Sequence, residues 1–232
     1  MGHEVIGDAN LQPAEPAAPL NPQDPTLAEM EAWGGALLRA ITGNGDLQWS
    51  GQTLYAGTMP QALLAAHHTD VPVALADQRG LLDSVGLRFS LSDAELHSKH
   101  QPSDPVERML FELLEQLRVE SLVPKAWPGA RDNMRQRFLH WAQSFVDSGL
   151  TESSLGILLL AVALIAWSRL TDQEMPDRMY DAIESTRMAL STPLGQFWVQ
   201  LRRTREDQNA FIEPALAVSR WVGQAVRAAQ ED

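Results

Sequence analysis

Hydrophobic positions along the chain recur mostly at helical spacing. Met30, Trp33, Leu37 and Ile41 share one face of a helix that Thr26 and Glu29 can open as a capping box and Gly43 can stop. The next segment changes period. Leu47 and Trp49 alternate with polar neighbours, Thr53 and Tyr55 less cleanly, and Ser50-Gly51 can turn the chain, which predicts a hairpin over about 46–56. A hairpin this short is marginal alone and has to pack on helices. A helix follows over Leu75–Phe89 despite Gly80 and Gly86, then a helical turn near Leu96. Ser103 or Asp104, with Pro105 behind it, opens the segment to Leu122. Met134, Phe138, Trp141 and Phe145 line one face of the next helix, which Gly149 closes. Helices near 176–191, 193–204 and 213–228 finish the chain, with Pro176, Pro193 and Pro214 each placed near a helix start.

Between them lies Leu155–Trp167, thirteen residues without a charge, with Thr151 as its cap and Arg169 at its end. A membrane-spanning helix needs about 20 apolar residues. The expectation is therefore the centre of a soluble bundle and no membrane. The first 25 residues carry five prolines and little to bury, and read as a disordered tail without a signal peptide. The expected fold is mainly α: one multi-helix, bundle-like domain over 26–232 with one small β-hairpin.

The chain has 232 residues and a net charge of −12. An acidic surface repels phosphate backbones, so nucleic acid is not an expected partner. The absence of cysteine removes disulfides, thiolate ligands and thiol nucleophiles, and fits the cytoplasm. No phosphate-cradling loop, dinucleotide fingerprint, nucleophile elbow or H-E-x-x-H motif occurs, so the chain has no catalytic residue to nominate and no ATP site of its own. His97 and His100 stand three apart beside Asp93 and Glu95, but two histidines supply half a metal site. That ligand count favours exposed loop and helix-end histidines. His67 and His68 are adjacent and point apart in either regular structure, and His140 reads as a packing or surface residue.

The charges of "FELLEQLRVESL" raise the sharper question. On a helical wheel Leu110, Leu113, Leu114 and Leu117 form one face, with Glu112, Glu115 and Gln116 opposite. Arg118 and Glu120 border the apolar stripe. A buried charge at such an edge is costly unless paired. The first reading is that these residues lock neighbouring helices, for instance against an arginine of another element. The second is that they dock a partner. Arg202, Arg203 and Arg205 form a basic island, as do Arg131, Arg135 and Arg137, and these suit either a solvated face or an acidic partner. Most of the seven tryptophans belong to the core, while Trp127, in a loop, is the strongest contact candidate.

The order of "RAITGNGDLQW", "LSDAELHSKHQPSDPVERMLFELLEQLRVESL", "PGARDN" and "GLTESSLGILLLAVALIAWSRLTD" resembles the N-terminal region of the cobaltochelatase subunit CobT over about residues 30–230. Glu115, Gln116, Arg118 and Glu120 match its E-Q-x-R-x-E motif. The resemblance implies a non-catalytic subunit or adaptor that works with an AAA+ ATPase, CobS, and a large subunit, CobN, to insert cobalt into the corrin ring. Cobalt and Mg-ATP then belong to the whole complex, and this chain binds neither. The family's von Willebrand factor A domain carries a D-x-S-x-S motif, which is missing here, so the chain is expected to be the N-terminal part. Two alternatives stay open. Leu114 and Leu117, where the family often has smaller residues, point to a relative serving a MoxR-type ATPase with another client. A small metallochaperone using His97 and His100 is the other.

Overall fold

The computed structural model describes residues 27–50, 53–61 and 75–231. The proposed tail, the Thr26 cap, the turn at Gly51, and His67 and His68 lie outside them. Helix α1 (Leu27–Thr42) leads into strands β1 (Leu47–Ser50), β2 (Thr53–Ala56) and β3 (Met59–Gln61). Helices α2 (Leu75–Leu91), α3 (Ala94–His100), α4 (Pro105–Ser121) and α5 (Pro128–Asp147) follow. After a 3-10 turn at Leu150–Glu152 come α6 (Ser154–Thr171), α7 (Asp177–Thr204) and α8 (Gln208–Glu231). The fold is mainly α, as the periodicity requires.

The strands form an antiparallel sheet in the order β1-β2-β3, with Trp49 opposite Leu54 and Ala56 opposite Met59. Leu47, Trp49 and Leu54 face Leu38 of α1 and Leu81, Leu82 and Val85 of α2, so the sheet is held by helices. Arg39 also donates to the Leu47 carbonyl at 3.0 Å. The pattern predicts two strands, and the third is a finding. Gly57, at φ 59°, starts a two-residue turn that returns the chain as an edge strand. Pro60 and the exposed Met59 hide that strand from an alternation test, because an edge needs neither every amide nor a buried face.

The largest core joins α4, α6, α7 and α8. At its centre, α6 is apolar around most of its circumference because it meets α4 and α7 on different sides. By length and composition α6 could cross a membrane, but 56% of the helix is buried inside the protein. Phe138 of α5 stacks on Trp167 of α6 with centroids 4.9 Å apart.

Three helix ends differ from the sequence reading. Ser153, rather than Thr151, caps α6 by accepting from the Gly156 amide at 3.0 Å. Pro193 and Pro214 do not open helices; each lies inside a continuous one. In α7 the buried stripe Leu190, Leu194, Trp198 and Leu201 runs straight through Pro193. Ala189, whose carbonyl the missing amide would have met, is exposed to water. In α8 Phe211, Ala215, Val218 and Val222 do the same past Pro214. Continuity of the buried face outweighs the lost hydrogen bond.

Helices α2 and α5 approach closely at Gly80, where an added Cβ would sit 2.5 Å from the Asn133 carbonyl oxygen. Gly195 in α7 has open space around it. Gly80→Ala should therefore lower unfolding free energy by about 1–3 kcal/mol. Gly195→Ala should raise it by up to about 1 kcal/mol, both read from urea midpoints.

Candidate functional site

Helix α4 starts at a strong cap. The Asp104 carboxylate accepts from the Glu107 and Val106 amides at 3.0 Å each. The Glu107 amide, with the nearby Arg227 guanidinium, holds its carboxyl below the usual range. From there α4 runs between α2, α6 and α8. The wheel's outward face is therefore covered. Glu115, Gln116, Arg118 and Glu120 are only 2%, 1%, 1% and 4% exposed. Glu115 and Gln116 do not lie on a solvent face, as the two-faced wheel implied. The wheel assumes one apolar neighbour, whereas α4 has neighbours on several sides. Leu114 and Leu117, the departures from the family pattern, are fully buried core positions.

Arg118 organises this interior. Its Nε and Nη2 donate to the two Glu115 carboxylate oxygens at 2.7 and 2.8 Å, a bidentate fork. Nη2 also donates to the Leu91 carbonyl at 2.8 Å, and Nη1 to the Arg205 carbonyl at 3.1 Å. Ser92 adds a hydroxyl donor to Glu115 at 2.6 Å. The ion pair lies within one helix rather than against an arginine of another element. What it ties together are backbone carbonyls where α2 and α7 end. Gln116 donates to the Ser84 carbonyl of α2 at 3.1 Å and to Glu120 at 3.0 Å.

A second group lies one turn earlier. Glu112 accepts from Arg88 of α2 at 3.0 Å and from Gln101 at 2.8 Å, and meets His97 Nε2 at 2.7 Å. His97 is buried, 6% exposed, and stacks on Phe111 at 4.6 Å, which corrects the exposed-histidine reading. His100 turns elsewhere and pairs through Nδ1 with the Leu96 carbonyl. Among the described residues no three histidine or carboxylate side chains gather to hold a metal ion. Burial pushes the Glu112 carboxyl up, but the His97 hydrogen bond and charge, with Arg88 and Gln101, outweigh it and leave the group below its usual range. Burial lowers the Arg88 guanidinium, against the pull of Glu115 and Glu112. His140 pairs with Asp77 of α2 across the α2–α5 contact.

The basic island divides. Arg205 donates to the Leu170 carbonyl at 2.7 Å and to Asp172 at 2.9 Å, and Arg202 pairs with the same aspartate. Arg118 and Arg205 are thus joined through the Arg205 backbone. Arg203 is exposed and forms no ion pair among the described residues, and Trp127 is 40% exposed at the start of α5. Neither belongs to the α4 cluster. Of the other island, Arg137 is buried while Arg131 is exposed. Sequence reasoning missed Arg88, Ser92, Asp172 and Gln208. Gln208 reaches back to the Ser92 hydroxyl and the Asp93 carbonyl at 3.3 and 3.1 Å. No local spacing signals a contact between residues 116 positions apart.

The arrangement defines a mainly α protein whose central charged motif is consumed in holding helices together. Consistent with this, the sequence matches the family of the cobalamin biosynthesis protein CobT over residues 35–219, and the chain belongs to that family. No curated protein and no solved structure matches.

Arg118→Ala should lower unfolding free energy by about 3–5 kcal/mol, because it strands a buried carboxylate. A double variant, Arg118→Met with Glu115→Leu, should recover part of that loss by removing both charges. Failure of the double variant to recover would assign the cost to the Leu91 and Arg205 carbonyls instead. For Glu112 the sign is the usual carboxylate one: a lowered folded value favours the native state above the ordinary glutamate value of about 4.3. That contribution is lost as pH falls from there through the lower folded value. The stability gap between wild type and Glu112→Gln, measured by urea unfolding from pH 7 to pH 3, should shrink with acid.

Proposed function

We propose that this chain is a non-catalytic helical subunit of an AAA+ ATPase-driven complex that inserts cobalt into the corrin ring. Membership of the CobT family places it in cobalamin biosynthesis. The observation that carries the finer reading is the fate of the E-Q-x-R-x-E charges. Glu115, Gln116, Arg118 and Glu120 are all buried, and the hydrogen bonds of the first three end on one another, on Glu120, on Ser92 or on backbone carbonyls. Groups so committed serve shape rather than proton transfer or ligation. Cobalt is then the cargo of the complex and Mg-ATP the fuel of its ATPase, a CobS-like subunit, with a CobN-like large subunit holding the corrin in the cytoplasm. The metallochaperone alternative loses support from the burial of His97 against Glu112.

The docking side chains we assign are Trp127 and Arg203, which are exposed and take no part in the α4 lock. The test is reconstitution with the host's AAA+ and large subunits. Trp127→Ala or Arg203→Glu should weaken co-purification about tenfold at an unchanged melting midpoint, the size of one lost interface contact. ATP-dependent cobalt insertion should stop when the chain is omitted. Capture of an ATPase without a chelatase subunit would move the reading to a MoxR-type partner with another client. Stoichiometric cobalt binding by the isolated chain, lost in His97→Ala/His100→Ala, would overturn it.

A further inference from the structure

Where α6 hands over to α7, the chain bends around a cavity of about 530 Å³. Arg169 of α6 and Arg187 and Arg202 of α7 line it, against Asp172 and Glu174. The balance is local and opposite to the protein's: one positive charge in excess on a chain of net −12. Asp172 does not neutralise the pocket, because Arg205 from outside shares it with Arg202. Arg169 and Arg187 have no carboxylate partner among the described residues. Arg187 is held instead with its guanidinium carbon 4.3 Å from the centre of the Tyr180 ring. Its Nε is buried and lacks a hydrogen-bond acceptor. A guanidinium fixed over a ring at the wall of a cavity, with no carboxylate partner, is set up for an incoming anion. Ile165, Met175 and the largely buried Trp198 supply an apolar floor.

We propose that this cavity binds a small polyanion, with carboxylate or phosphate groups on Arg187 and Arg169 and its body on the apolar floor. The volume lies within the range of about 300–1,000 Å³ typical of small-molecule sites. A concave site of this size favours a small molecule over the face of a folded protein. The inference does not depend on which complex the chain joins.

The test is calorimetry of the full chain at low salt with three probes: benzene-1,3,5-tricarboxylate, citrate and inorganic pyrophosphate. At least one should bind saturably at one per chain. Arg187→Met and, separately, the exposed-site variant Arg169→Gln should each weaken that binding by about tenfold or more, as expected for loss of a charge-assisted pair. Lys125→Gln, at an exposed position outside the cavity, should leave it unchanged. Tighter binding of the benzene tricarboxylate than of pyrophosphate identifies carboxylate as the preferred group, and the reverse identifies phosphate. Equal affinity for citrate and the benzene compound would remove the apolar floor from the account. Absence of saturable binding by all three, or binding untouched in Arg169→Gln, would overturn the site.

Discussion

The guanidinium of Arg118 sits where the C-terminal ends of two helices converge on the side of a third. Helix α2 ends at Leu91 and α7 ends just before Arg205, and both of those carbonyls accept from it. The last carbonyls of a helix have no partner within it and carry the negative end of its dipole. A buried cation there satisfies orphan acceptors as well as balancing Glu115. That matters because desolvating an ion pair costs several kcal/mol per ion and the pair alone seldom recovers it. The additional acceptors are what make burial of this arginine tolerable. They also make it selective: a shift of α2 or α7 by one residue would take a carbonyl out of reach.

The same constraint explains the asymmetry around α4. Toward α6 the contact is apolar, and there Leu, Ala and Phe side chains interlock. Toward α2 the apolar contact of Leu87 with Val119 is flanked by polar pairs, from Arg88 with Glu112 to Gln116 with the Ser84 carbonyl. Apolar packing is non-directional and tolerates sliding, whereas hydrogen-bonded pairs fix register. Helix α2 is also the element that carries the sheet and α1 on its other side. The polar face of α4 thus sets where the whole N-terminal layer sits relative to the α6–α7–α8 core.

Much of this was legible locally. Caps and breakers act within one turn, so the start of α4 at Asp104 and the end of α5 at Gly149 follow from adjacent residues. The strand alternation of Leu47 and Trp49 did too, because one face of β1 meets a helix. The errors share a cause. Pro193 and Pro214 are breakers by local rule, and the buried stripes that override them exist only once α6 and α4 are in place. Likewise Glu115 and Gln116 look solvent-facing until α2 covers them. The site was half legible: the motif's charges announced a buried pairing, but not that the partners would be backbone carbonyls some 27 and 87 positions away.

How the charges are distributed between interior and surface bears on what the molecule can do. Glu112, Glu115 and Arg118 end on partners within the fold, and Asp172 takes two arginines at once. A group held at fixed geometry by several bonds has little freedom to exchange a proton or accept a new ligand. Arg169, Arg187 and Arg203, which have no carboxylate partner among the described residues, lie instead along the α6–α7 limb. That limb joins the interior lock through Arg205, whose carbonyl meets Arg118 and whose side chain holds the α6 end. An anion drawn to the limb would therefore press on the same helix ends that Arg118 keys together. In an otherwise acidic chain, the surface arginines of this limb and the interior lock thus share one residue, Arg205.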